Sequence, residues 1–219
     1  MTAPRISPVL RRLAACYGRP PTNRSRPLMD VLIQTILSQN TSDANSLRAF
    51  AALKKNYPDW SRLAGSSPGQ LAKVIKSGGL ANIKSRRILE LLRSLSRERG
   101  KPDLEWLRGM EPESAYEFLK GLKGVGPKTA ACTLLFGAGI PIFPVDTHIY
   151  RVAKRLGWVR KGEDRERFQE RFRHLVPPGW VYVLHLNLIE HGRRRCHSRN
   201  PRCQQCCLKD HCLYHKERI

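Results

Sequence analysis

The chain has 219 residues, 41% of them hydrophobic, enough for one sizeable core or two small domains. Lysine and arginine number 40 against 18 acids, a net charge of +22 that implies a polyanionic partner. No apolar run is long enough to span a bilayer and no segment reads as a basic membrane-binding helix, so that partner is nucleic acid and not a membrane surface.

The first residues, MTAPRISPVLRRLAACYG, are rich in arginine and free of acids, a composition shared with transit peptides. The preferred reading is a short amphipathic helix capped by Ser7 and Pro8, with Val9, Leu10, Leu13 and Ala14 on its apolar side. No secretory signal is visible, disulfides are not expected, and the seven cysteines need another explanation. Residues 27–38 read as a buried helix. After the polar knot Gln39-Asn40-Thr41, Ser42 or Asp43 caps a helix expected to bury Leu47, Phe50, Ala51 and Leu53.

Ser67-Pro68-Gly69-Gln70 has the form of a capping box, and its helix stops at Ser77-Gly78-Gly79. Leu80 then opens a strongly basic amphipathic helix. A leucine in that place either packs back on the preceding helix or serves as a wedge between base pairs. Lys84, Arg86 and Arg87 are phosphate contacts or a solvated face. Two short helices fill residues 104–122.

At Leu122–Ala131 the pattern is helix, glycine turn, helix. Gly124, Val125 and Gly126 form the turn, Pro127 takes the first helical position, and Lys128 lies in the first turn of the new helix. Bared backbone N–H groups and the positive end of the helix dipole make a site for one anionic oxygen, such as a DNA phosphate. That helix ends at Gly137 and Gly139. Pro141 and Pro144 make an extended link to Asp146, which stands at the start of another helix, and two further helices follow. No stretch shows sustained strand alternation, so the fold class is all-α.

Near the end, Cys196, Cys203, Cys206 and Cys212 have the spacing C-x6-C-x2-C-x5-C. Four thiolates so close in sequence suit either an all-cysteine zinc site or a [4Fe–4S] cluster, and three nearby histidines keep a mixed zinc site open. Cys207 is extra to the pattern. Cys16 and Cys132 read as buried, inert thiols. Arg199 and Arg202, inside a loop that a metal would order, are candidates for phosphate contact.

GVGPKTA followed by VDTHIYRV, with Lys128 and Asp146 in those places and the cysteine pattern behind them, resembles the endonuclease III family of helix-hairpin-helix DNA glycosylases with lyase activity. The resemblance covers nearly the whole chain. It implies two helical lobes flanking a DNA-binding cleft: a six-helix bundle over 22–136, ending in the hairpin, and a second lobe joining 1–21 to 137–219. It implies Lys128 and Asp146 as catalytic residues and a [4Fe–4S] cluster on the four cysteines. It also implies Leu80 as the wedge and a polar side chain from the 39–41 loop filling the gap left by a flipped nucleotide. Family members often carry Gln where Asn40 stands here, and the Gln of this chain is Gln39. The expected partner is damaged double-stranded DNA, bound by a monomer in the cytoplasm, or on the nucleoid if the cell is bacterial or archaeal.

The chemistry follows from the residue types. A neutral lysine amine attacks the anomeric carbon and displaces the base. A helix N-terminus and a basic surround both disfavour the ammonium form of Lys128. Asp146, at a helix start, suits proton acceptance or stabilisation of positive charge on the sugar. The expected activity is base-excision repair of damaged, oxidised pyrimidines with β-elimination at the abasic site. The alternatives are a mismatch or uracil glycosylase, a lyase confined to abasic sites, and a non-catalytic DNA-binding protein on the same scaffold.

Overall fold

The computed structural model describes residues 6–21 and 26–217, and among these there are helices and no strand. The chain forms two compact units. One is the continuous stretch Arg24–Ile140, and the other joins Met1–Asn23 to Pro141–Ile219. Thr22, the expected start of the bundle, lies outside the described residues.

The continuous unit is built around α2, Leu28–Leu37, where Leu28, Met29, Val31, Leu32, Ile33, Ile36 and Leu37 are all buried. A helix that is apolar on nearly every side must be enclosed by others. It packs against α3 (Asp43–Asn56), α6 (Ala81–Arg99) and α8 (Pro127–Thr133), while α5 (Pro68–Val74) and the short α4 (Trp60–Ala64) cover α6, and α7 (Pro112–Gly121) covers α8. Ser67 and Gln70 form the capping box on α5. Ser42 caps α3 by accepting from the Asn45 amide.

The buried stripe of α3 is Ser46, Ala49 and Leu53: Leu53 is buried as expected, while the other two stand one position before the expected Leu47 and Phe50. Leu47 is 55% exposed and Ala51 is exposed too. The expected face followed the largest apolar residues, whereas small Ser46 and Ala49 let residues 76–78 come close. A Cβ on Gly78 would lie 3.1 Å from the Ala49 Cβ. Beyond α8 the chain widens into a π-helical turn at Leu134–Ala138, where Gly137 packs directly on Leu28.

In the discontinuous unit, α1 (Ile6–Tyr17) buries Ile6, Val9, Leu10 and Leu13 against α11 (Val181–Arg194). Helix is already present at Ile6, so Ser7 lies within α1 and does not precede it. α11 also packs on α9 (Thr147–Arg155), which contacts α10 (Arg165–Phe172) and the terminal α12 (Leu213–Lys216). Phe143, Trp158, Phe168 and Phe172 form an aromatic core, with Phe168 and Phe172 stacked at 4.8 Å.

Candidate active site and cysteine centre

In the continuous unit the glycine turn is formed as the spacing predicts. Gly124 has φ +84°, and Gly126 precedes the first residue of α8 with no side chain capping the helix. The first N–H groups of an uncapped helix lack intrahelical partners and carry its positive dipole end. Lys128 lies half-buried in that turn, and its amine has no hydrogen bond or ion pair among the described residues. Thr129 beside it is buried and receives a hydrogen bond from the Gln39 amide at 3.3 Å. Gln39 in turn accepts from Arg87 Nη1 at 2.8 Å. Asn40, next to it, is exposed and has φ +52°.

Leu80 is 50% exposed and holds φ +49°, a left-handed conformation unfavourable for leucine. Half of its surface is open to solvent, as a wedge requires. Ile83, one turn later, is 57% exposed. Arg86 is exposed.

Lys84 departs from its expected role. It is 2% exposed, and its ammonium donates to Leu37 O at 2.6 Å and Gly78 O at 2.8 Å. It is therefore no surface phosphate contact. It satisfies the carbonyl at the end of α2, just before the Gln39–Thr41 loop, and the carbonyl before the Gly79–Leu80 turn. One buried cation thus ties the two loops expected to enter DNA. Burial pushes its pKa below the ordinary lysine value.

In the discontinuous unit, Asp146 is the N-cap of α9. Its Oδ1 accepts from the Ile149 amide at 2.7 Å, and its other oxygen makes no hydrogen bond among the described residues. Two arginines farther along α9 reach the cysteine loop. Arg151 donates to Gly192 O and Cys196 O, and contacts His148 Nδ1 at 3.1 Å. Arg155 donates to the Cys196 sulfur at 3.1 Å and to His197 O and Ser198 O. The close fit of α11 on α9 depends on Gly192, where a Cβ would stand 2.9 Å from the His148 Cβ. The helix that starts with Asp146 is thereby fastened to the cysteine loop, a link that no sequence spacing announced.

Cys196, Cys203, Cys206 and Cys212 line one cavity with Val152, Leu156 and Leu208. Cys207 does not line it and lies near the Cys16 thiol. Cys16 is exposed, contrary to the buried setting expected, because it lies past Leu13, the last fully buried residue of α1. Cys132 is buried as expected. Burial pushes the Cys206 thiol up to about 11 and also raises Cys212, and the neighbouring thiols add to both shifts. Thiolates gathered this closely need a compensating cation among them.

His191, missed in the sequence, is buried in this unit. Its Nδ1 lies 2.9 Å from Tyr17 Oη and its Nε2 lies 3.6 Å from the Cys206 sulfur. Burial first, and then Arg195, lower its pKa to about 4. Arg199 and Arg202 are exposed in the loop between the first two cysteines and have no ion pair among the described residues.

The model of the HhH-GPD superfamily base excision DNA repair protein matches residues 33–178. Over 190 residues the chain is 37% identical to an endonuclease III of Thermotoga maritima, with 86% of this chain and 84% of that one covered. It is 40% identical over 166 residues to an Arabidopsis thaliana protein named for DNA glycosylase activity, covering 76% of this chain and spanning 57% of the plant protein's length. Among solved structures, a trapped endonuclease III–DNA covalent intermediate with an estranged adenine superimposes with a TM-score of 0.83 at 26% identity, covering 100% of this chain and 99% of the other.

Proposed function

The chain belongs to the endonuclease III family of the HhH-GPD superfamily, and from that premise we propose that it is a base-excision-repair DNA glycosylase with abasic-site lyase activity. Its partner is damaged duplex DNA, and its lesions are oxidised pyrimidines, the class that the resemblance implies. The cytoplasm is the matching place of work, at the nucleoid if the cell is bacterial or archaeal.

The observation that carries the mechanism is the unpartnered Lys128 amine in the first turn of α8, beside the glycine turn. A duplex hides the anomeric carbon, so the nucleotide is first flipped out. We assign the wedge to Leu80, whose exposure supports that role, and the filling of the gap to the 39–41 loop. The Gly124–Gly126 backbone, Arg199 and Arg202 hold phosphates. The Lys128 nitrogen forms a bond to C1′ as the glycosidic C–N bond breaks and the base departs with a proton. The carboxylate of Asp146 accepts the amine's proton or balances positive charge on the sugar. The sugar ring then opens as the C1′–O4′ bond breaks and O4′ takes up a proton, and the resulting iminium acidifies the C2′ proton. Its removal expels the 3′ phosphate and nicks the strand, and water then frees Lys128.

The four cysteines fit a [4Fe–4S] cluster. Four thiols line one cavity, and the family resemblance supports a cluster there over tetrahedral zinc. When bound, the cluster would cross-link Cys196, Cys203, Cys206 and Cys212 through its iron and so order the basic loop. Catalysis takes no step through it.

The test is borohydride trapping on single-lesion duplexes. Wild type should be trapped, and Lys128→Gln should bind the same DNA without being trapped. Undiminished trapping in that variant would remove Lys128 from its role.

A further inference from the structure

Gln39 and Asn40 are both candidates to enter the duplex, and the structure treats them differently. Both ends of the Gln39 amide are engaged: Oε1 accepts from Arg87 Nη1 at 2.8 Å, and Nε2 donates to Thr129 Oγ1 at 3.3 Å. Thr129 is itself held, since it is buried and its carbonyl accepts from Thr133 Oγ1 at 2.8 Å. The other end of the arrangement is equally fixed. The stem of Arg87 lies on the glycine turn, so that a Cβ on Gly124 would stand 2.7 Å from its Cδ and 2.8 Å from its Cγ. Loop 39–41, helix α6, the 124–126 turn and the residue after Lys128 are therefore joined in one closed circuit by a single arginine.

Asn40 is outside that circuit. Its side chain is exposed and makes no hydrogen bond among the described residues. Its left-handed backbone is one that asparagine tolerates better than glutamine, because the short amide offsets part of the steric penalty. For Gln39 to enter DNA it would have to break two hydrogen bonds, one of them to a cation.

We infer that Arg87 is a positioning residue for base flipping: it holds Gln39 on Thr129, so that Asn40 is the side chain that fills the gap. Arg87 acts through the loop and makes no phosphate contact that a lysine could replace. The inference rests on the glycosylase reading above. It predicts that the arginine matters only when a paired nucleotide has to be displaced.

The experiment measures single-turnover base release for one oxidised pyrimidine in two settings, a fully paired duplex and a small bubble where the lesion is already unpaired. Wild type active on either DNA satisfies the glycosylase reading, and inactivity on both fails that reading without bearing on Arg87. Arg87→Met keeps the apolar stem on Gly124. It should slow the paired substrate about tenfold, the scale of one lost hydrogen bond to a charged group, and leave the bubble rate unchanged. Arg87→Lys should behave like Arg87→Met, since an ammonium cannot reproduce the guanidinium fork. Asn40→Ala should show the same split, and Arg87→Met combined with Asn40→Ala should be no slower than the slower single variant. Equal losses on both DNAs would mean a merely structural arginine. Full rescue by Arg87→Lys would mean a phosphate contact. If Gln39→Ala abolishes flipping and Asn40→Ala does not, Gln39 is the inserted side chain. Each of these three results overturns the inference.

Discussion

Replacing Lys84 by Met separates two kinds of basic residue that look alike in a charged run. The side chain keeps its length and loses its ammonium, leaving Leu37 O and Gly78 O without their buried donor. A stranded buried acceptor costs about 1–3 kcal/mol, and carbonyls tolerate under-satisfaction better than donors do. Two of them, less the relief of no longer burying a charge, give an expected loss of about 2–4 kcal/mol. With a urea slope of about 2 kcal/mol/M, the unfolding midpoint followed by circular dichroism should fall by about 1–2 M. Because burial lowers the Lys84 pKa, the unfolded chain binds that proton more tightly. Its contribution to stability therefore rises with pH only in the window between its folded value and 10.5, and neutral pH is the right condition for the comparison. DNA binding supplies the second reading. A lysine on a phosphate contributes about 0.9 to the slope of log K against log salt, so the Lys84 variant should leave that slope unchanged. An unaltered urea midpoint with a slope smaller by about 0.9 would refute the buried-staple account.

Leu80→Ala should weaken binding to lesion duplex more than to undamaged duplex, because only the former needs a wedge, and equal losses in a titration of both DNAs would restore a packing role. Cys206→Ser should lose iron and acid-labile sulfide while Cys207→Ser keeps both, as elemental analysis of anaerobically purified protein can read directly; stoichiometric zinc without sulfide would replace the cluster. Glu163 makes two bonds of 2.7 Å to Arg171, and that pairing holds its carboxyl below the ordinary value. Its stabilisation is complete above the unfolded value and is lost as pH falls through the folded one. Glu163→Gln should therefore flatten the decline of the thermal midpoint on acidification below about 4.5, relative to the parent protein.

Most local signals in the sequence proved dependable, the Ser7 cap of α1 being the exception. The Ser67–Gln70 box, the Ser42 cap, the Pro127 start and the Asp146 cap each need only three or four neighbouring residues. What could not be read is what joins residues far apart. Lys84 sits in a run that scores as solvated, and only the fold brings Leu37 O to it from 47 positions away. The same holds for Gln39 and Thr129, 90 positions apart, and for Arg155 and the Cys196 sulfur. On α3 the periodicity was right in kind and wrong in phase, because close packing chose small side chains over large ones. His191 gave no signal at all, since a histidine between Glu190 and Gly192 near the end of a helix looks the same whether or not a sulfur lies beyond it.

The union of α1 with α11 also sets a timetable. Tyr17 and His191, which meet through one hydrogen bond, are 174 positions apart. At about 5–20 residues per second, a ribosome delivers the second of them about 10–35 s after the first. The Arg24–Ile140 unit is continuous and can close as soon as it has emerged. Throughout that wait α1 shows Ile6, Val9, Leu10 and Leu13 to the surroundings, beside the cationic Arg11 and Arg12. Until α11 arrives, these apolar side chains have no native partner to cover them. A circular permutant that places α1 after α12 would shorten that interval.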